Sequence, residues 1–175
     1  MLVVLDTTML TLFLKPDVVP PNDPATGQPV RRAAERVQHL MERLTEEKAT
    51  ILIPSTVWAE FLVVADDTAQ EYLAAVKDRA NFRIASFDQI SAVEAALDQR
   101  RARHAGNRHA DLSGSRQCLK ADRQIVAIAK TNNADVVYTA DHDIVKIGGT
   151  MGVPVKALWD LEAPESKTPL LDETV

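Results

Sequence analysis

The chain alternates short, unbroken apolar runs with longer segments whose apolar residues recur every three or four positions. Residues 2 to 5 (LVVL), 50 to 53 (TILI) and 136 to 139 (VVYT) are runs of the first kind. A strand that is apolar on both alternating faces is covered from both sides, which is the condition of a parallel sheet. Phe82, Ile84 and Phe87 suggest a further short strand, and Val153 to Leu158 supplies a fifth after Gly152. Between Val30 and Glu47, the residues Ala33, Val37, Leu40, Met41 and Leu44 fall at helical spacing, opposite Arg32, Arg36, Glu42 and Glu46. This is the signature of an amphipathic helix. Pro54 and Ser55 suit a strand end and the N-cap of a helix running to about Ala65, and Thr68 with Glu71 has capping-box spacing for a helix reaching about Arg79. Asp88 can cap a helix carrying Ile90, Val93, Ala96 and Leu97 along one side, and another helix runs from about Cys118 to Asn132. Strands alternating with helices predict an α/β domain with a mainly parallel central sheet flanked by helices on both faces.

Two segments fall outside this alternation. Pro16, Pro20, Pro21, Pro24, Pro29 and Gly27 exclude regular structure over residues 15 to 30 and mark a surface loop insertion. Residues 105 to 117 also read as a loop, and from 161 to 175 proline and polar residues dominate, predicting a mobile tail behind a domain of residues 1 to 160.

At 175 residues and 46% hydrophobic content, one domain can close a core without disulfides. The single cysteine, Cys118, cannot form an internal disulfide, and a reducing, cytoplasmic setting fits it. No apolar run is long enough to span a bilayer, so no membrane partner is expected. The opening MLVVLDTTML has no basic n-region and is interrupted by Asp6, which is not the pattern of a signal peptide. A net charge of −5 argues against a protein that coats nucleic acid by bulk electrostatics. Cations nevertheless concentrate between Arg100 and Lys120, so any nucleic-acid contact is local.

Four acids stand where a parallel sheet would gather them. Asp6 follows the first strand directly, at the end where open α/β sheets place their ligand crevice, although it serves equally as a helix N-cap. Asp141 follows the VVYT strand, beside Thr139 and Asp143, where a turn role is also open to it. Glu60 interrupts an apolar helix surface between Val57, Phe61 and Val64, so it must be exposed, protonated, or held by cations or donors. Asp122 lies on the stripe Cys118, Asp122, Ile125, Ala129 and points inward, with Lys120 and Arg123 available to neutralise it. Brought together, such carboxylates repel, and a hard divalent cation such as Mg²⁺ or Mn²⁺ relieves the repulsion through oxygen ligands.

These segments resemble the PIN-domain nucleases, and the size suggests the ribonuclease toxins of the VapBC toxin-antitoxin type. The resemblance spans roughly residues 2 to 158 and rests on VVLDTT, STVWAEF around Glu60, KADRQIVAIAK around Asp122 and VVYTADHDI around Asp141. It implies a metal-dependent endoribonuclease leaving a 5′-phosphate, with Asp6, Glu60, Asp122 and Asp141 as catalytic acids. Asp6, Asp122 and Asp141 would be the first metal ligands, while Glu60 would ligate or orient a second ion or the attacking water. Asp143 would assist, and Thr139, with Thr7 or Ser55, would hydrogen-bond the carboxylates. It also implies a homodimer and a cognate antitoxin protein whose peptide would occupy the acidic crevice. His142 reads as a loop residue rather than a catalyst. Arg100, Arg101, Arg103, Arg108, Arg116 and Lys120 are candidates for tracking an RNA backbone.

The proline-rich segment and the extended basic stretch depart from a minimal toxin, which leaves open a housekeeping RNA-processing nuclease or a catalytically silent RNA-binding scaffold on the same fold. The haloacid-dehalogenase-like phosphatases also begin with an aspartate after a strand, but they need a second one where this chain has Thr8. A receiver domain would need an acidic pair near the start, which is missing.

Overall fold

The computed structural model describes residues 1–104 and 115–165, apart from the side chains of Asp67 and Arg116. Among these residues, strands β1 (Leu2–Leu5), β2 (Thr50–Pro54), β3 (Phe82–Ala85), β4 (Val136–Thr139) and β5 (Val155–Ala157) form one sheet in the order β3-β2-β1-β4-β5. Every neighbouring pair is parallel. The helices are α1 (Thr7–Leu14), α2 (Ala33–Glu46), α3 (Ser55–Ala65), α4 (Ala69–Lys77), α5 (Gln89–His104), α6 (Arg116–Thr131) and α7 (His142–Met151). None is long and apolar enough to cross a membrane.

The apolar runs are buried on both sides, as a parallel sheet requires. Val4 and Val137 point into a core shared with Phe61 of α3, Ile125 and Ile128 of α6, and Ile144 and Ile147 of α7. Their neighbours Val3, Leu5 and Tyr138 point to the opposite face, against Met9 of α1 and Val37, Leu40, Met41 and Leu44 of α2. Gly148 lets α7 lie close on β5, since a Cβ there would meet Val155 Cγ2 at 2.2 Å. The chain builds β1, β2 and β3 outward in one direction and then returns to place β4 on the other side of β1. The carboxyl ends of β1 and β4 therefore flank the topological switch point, where the crevice of an open α/β sheet lies.

Several local expectations are corrected. Ile90, Val93 and Leu97 of α5 are exposed, and the residues this helix buries are Ser91 and Asp98. The reason is polar pairing: Ser91 Oγ meets Thr131 Oγ1 at 2.8 Å, Lys130 Nζ meets Glu94 at 2.7 Å, and Arg123 Nε donates to Asp98 Oδ2 at 2.9 Å. These pairs run in opposite chain directions, so α5 and α6 pack antiparallel. Ser115 Oγ accepts from Cys118 N, so α6 starts at Arg116 and not at Cys118. Thr68 donates to Ala65 O at 2.5 Å rather than forming a capping box, which leaves a 3₁₀ turn before α4. Ser55 caps nothing: its hydroxyl accepts from Phe87 N at 3.2 Å, tying α3 to the chain beyond β3. Residues 15–30 hold turns and one isolated bridge, Asn22 with Pro29, in keeping with their prolines. Most of the expected 105–117 loop and residues 166–175 of the tail lie outside the described residues.

Candidate functional site

Asp6 is both a cap and a member of the crevice. Its Oδ1 accepts from Met9 N at 2.7 Å, closing the first turn of α1. Its Oδ2 accepts from Ala140 N at 2.9 Å and from the Thr139 hydroxyl, which bolts the end of β1 to the end of β4. Three donors favour the carboxylate, yet burial outweighs them and pushes the Asp6 pKa up to about 6, with Asp141 adding repulsion. The Thr139 hydroxyl is used in both directions, because it also accepts from Asp141 N at 2.9 Å. Asp141 in turn caps α7 by accepting from Asp143 N at 2.7 Å. His142 is exposed and opens that helix, so it is a helical residue and not a loop residue.

Glu60 is exposed on α3 and accepts from Thr7 Oγ1 at 2.5 Å. Of the hydroxyls expected to hold carboxylates, Thr139 and Thr7 do so, while Ser55 is spent on Phe87.

Asp122, on the second turn of α6, is only 8% exposed, and its Oδ2 is buried with no hydrogen-bond partner. Neither nearby cation neutralises it. Arg123 is turned away to Asp98 and to Leu119 O, and Lys120 is exposed. Burial first, and then the charges of Asp141, Asp143, Glu60 and Asp6, together raise the Asp122 pKa to about 7. The charges of the other three sequence-predicted acids, and of the buried Asp143, thus all act on Asp122.

As the side chains stand, no group of three or more His, Cys, Asp or Glu among the described residues is placed to hold a metal ion. Asp6, Asp141 and Glu60 each turn an oxygen to a nearby donor. The repulsion of the neighbouring acids is still felt at Asp122, because charge–charge interaction extends beyond ligand distance. An oxygen such as Asp122 Oδ2 is satisfied by a proton or by a cation.

The sequence model of the PIN domain matches residues 30–149. The chain belongs to the PIN-domain family. The fold of this PIN domain is similar to that of a chain in the crystal structure of VapBC2 from Rickettsia felis bound to a promoter DNA fragment, with a TM-score of 0.57 at 15% identity, covering 90% of this chain and 98% of that one. A chain of the DNA-bound VapBC from Salmonella typhimurium is similar to the same degree, with a TM-score of 0.57 at 16% identity, covering 90% and 99%. Comparison with proteins of curated function finds no match.

Of the basic candidates, only some lie within the described residues. Arg100, Arg101 and Arg103 are exposed at the end of α5. Since α5 and α6 are antiparallel, that end lies beside the first turns of α6, which carry Lys120 and Asp122. Arg108 and the side chain of Arg116 lie outside the described residues. Asp98, the buried partner of Arg123, is not identifiable from the sequence. Its only signal is its i,i+4 spacing from Glu94, which surface pairs share.

Proposed function

We propose that this PIN domain is a divalent-metal-dependent endoribonuclease, acting as the toxin of a toxin-antitoxin pair in the cytoplasm. The observation that carries the reading is the orphaned Oδ2 of Asp122, buried among carboxylates that all raise its pKa. Oxygen-only donors of this kind select Mg²⁺ or Mn²⁺ over softer ions. Asp122, Asp6 and Asp141 would hold the ion, with Glu60 and Asp143 completing or orienting its shell. The chemistry such an ion supplies is a more acidic water and neutralised charge on the scissile phosphate. The chain itself sets the frame: Thr139 holds the Asp6 carboxylate and the Asp141 backbone, Asp143 N holds the Asp141 carboxylate, and Thr7 holds Glu60. Toxin identity, the RNA substrate and the antitoxin rest on the family resemblance of the four acidic motifs. A homodimer is supported in addition by apolar side chains left in solvent, among them Val63 (82% exposed), Ile90 (65%) and Val93 (54%).

Incubating the purified protein with labelled single-stranded RNA tests the reading. Cleavage is expected with Mg²⁺ or Mn²⁺ and none in EDTA; activity that persists in EDTA would overturn the metal-dependent mechanism. The arginines give a second expectation. Replacing Arg100, Arg101 and Arg103 with Gln should weaken RNA binding and flatten the dependence of log K on log salt by about 0.7 for each phosphate no longer neutralised. A slope identical to that of the wild type would remove these residues from the RNA path.

A further inference from the structure

On the face of the sheet opposite Asp122, α2, the outer strand β5 and the chain that follows it line a small open cavity of about 50 Å³. Arg36, His39 and Arg43 enter it from α2 at helical spacing, and Lys156 enters from β5. Asp160 and Glu162 line it as well. Three permanent cations thus face two carboxylates, and none of them is within ion-pair distance of an acid among the described residues.

The cations are also held in place. Arg36 donates from Nε to Arg31 O at 3.0 Å and from Nη1 to Leu161 O, so carbonyls fix its guanidinium while its charge remains uncompensated. Nε of Arg43 is buried with no hydrogen-bond partner. A guanidinium held half-buried without a counter-charge is costly, and an anion that meets it removes that cost. The volume holds a few water molecules, at about 10–15 Å³ each, which is room for one tetrahedral oxyanion.

From this geometry we infer that the Arg36–Arg43–Lys156 cavity is a phosphate-binding site, separate from the acidic crevice. A phosphate group matches it in charge, in size and in its demand for several donors, and arginine forks suit that geometry. Inorganic phosphate, the phosphate of a mononucleotide and a phosphate of an RNA backbone share this chemistry. The site does not depend on the nuclease reading, because it uses none of the residues of the crevice.

Calorimetric titration with inorganic phosphate in EDTA, at fixed ionic strength against chloride, tests the inference. Saturable one-to-one binding is expected for the wild type, weakened about tenfold or more in Lys156→Gln and in Arg43→Gln, as the loss of one charge-assisted hydrogen bond predicts. Lys156 is exposed, so Lys156→Gln serves as the test if Arg43→Gln does not fold. An RNA oligomer lacking terminal phosphates identifies the source. If it displaces phosphate, the cavity takes a backbone phosphate; if only inorganic phosphate and a nucleoside monophosphate bind, it takes the free group, and either result upholds the site. Absence of saturable binding by the wild type, or equal affinity in the folded Lys156→Gln protein, would overturn it.

Discussion

Replacing Asp122 with Asn is expected to abolish RNA cleavage and, in EDTA at pH 8, to make the protein more stable than the wild type. The activity loss should be at least about a hundredfold, since even outer residues of a metal site cost about 10- to 100-fold. The stability gain follows from the direction of the pKa shift. Asp122 moves from 3.8 in the unfolded chain to about 7 in the folded one, so between those values the folded state binds the extra proton. Its contribution is fully present below about pH 4 and is lost as pH rises through 7. Asp6, raised to about 6, adds a slope of the same sign. Asn keeps the shape and cannot ionise, so the variant should escape the loss, by about 1–2 kcal/mol at pH 8 once solvent screening is allowed for. Urea unfolding of both proteins at pH 5 and pH 8 reads this directly. Millimolar Mg²⁺ should raise the wild-type midpoint at pH 8 and leave that of Asp122→Asn nearly unmoved, because only a bound ion shifts the equilibrium. A variant less stable than the wild type at pH 8 in EDTA would refute the picture of a repelled, unsatisfied carboxylate.

The largest purely structural effect is expected at Asp98. Its two oxygens receive Arg123 Nε at 2.9 Å and Thr150 Oγ1 at 3.0 Å, so one carboxylate joins α5, α6 and α7. Both members of the ion pair are 5% exposed at the side chain. Truncating Asp98 to Ala leaves the Arg123 guanidinium buried without its counter-charge, at a cost of about 3–5 kcal/mol. For a chain of this size that lowers the melting temperature by about 2–4 °C for each kcal/mol. The double variant Asp98→Ala with Arg123→Met should be distinctly more stable than Asp98→Ala alone, because the stranded charge is gone and the volume is kept. A thermodynamic cycle over the two sites measures the coupling. A single-variant loss below about 1 kcal/mol, the range of exposed pairs, would mean that the bridge is solvated and does not anchor α6.

The acidic crevice and the Asp98 bridge differ in how readable they are from the sequence. Asp6 and Asp141 are legible because a buried strand ends abruptly at each, and strand ends of a parallel sheet share an edge. Glu60 and Asp122 are legible because each breaks an apolar helical stripe. Asp98 is not, since its helix offers a second, more regular stripe in Ile90, Val93 and Leu97, and periodicity alone favours that one. The same limit misassigns Ser55, whose hydroxyl bonds a residue 32 positions away. It also leaves Arg123 as a neutraliser of Asp122, although side chains adjacent in a helix point in different directions.

What the sequence by itself determined was the alternation of strands and helices, the parallel sheet and the positions of the four acids, because these follow from local patterning and from the length of each run. Only the tertiary structure decided which face α5 buries, which hydroxyl holds which carboxylate and which cation meets which acid. Those choices are made between residues far apart in the chain, where burial removes water as the alternative partner and the nearest donor or charge takes its place.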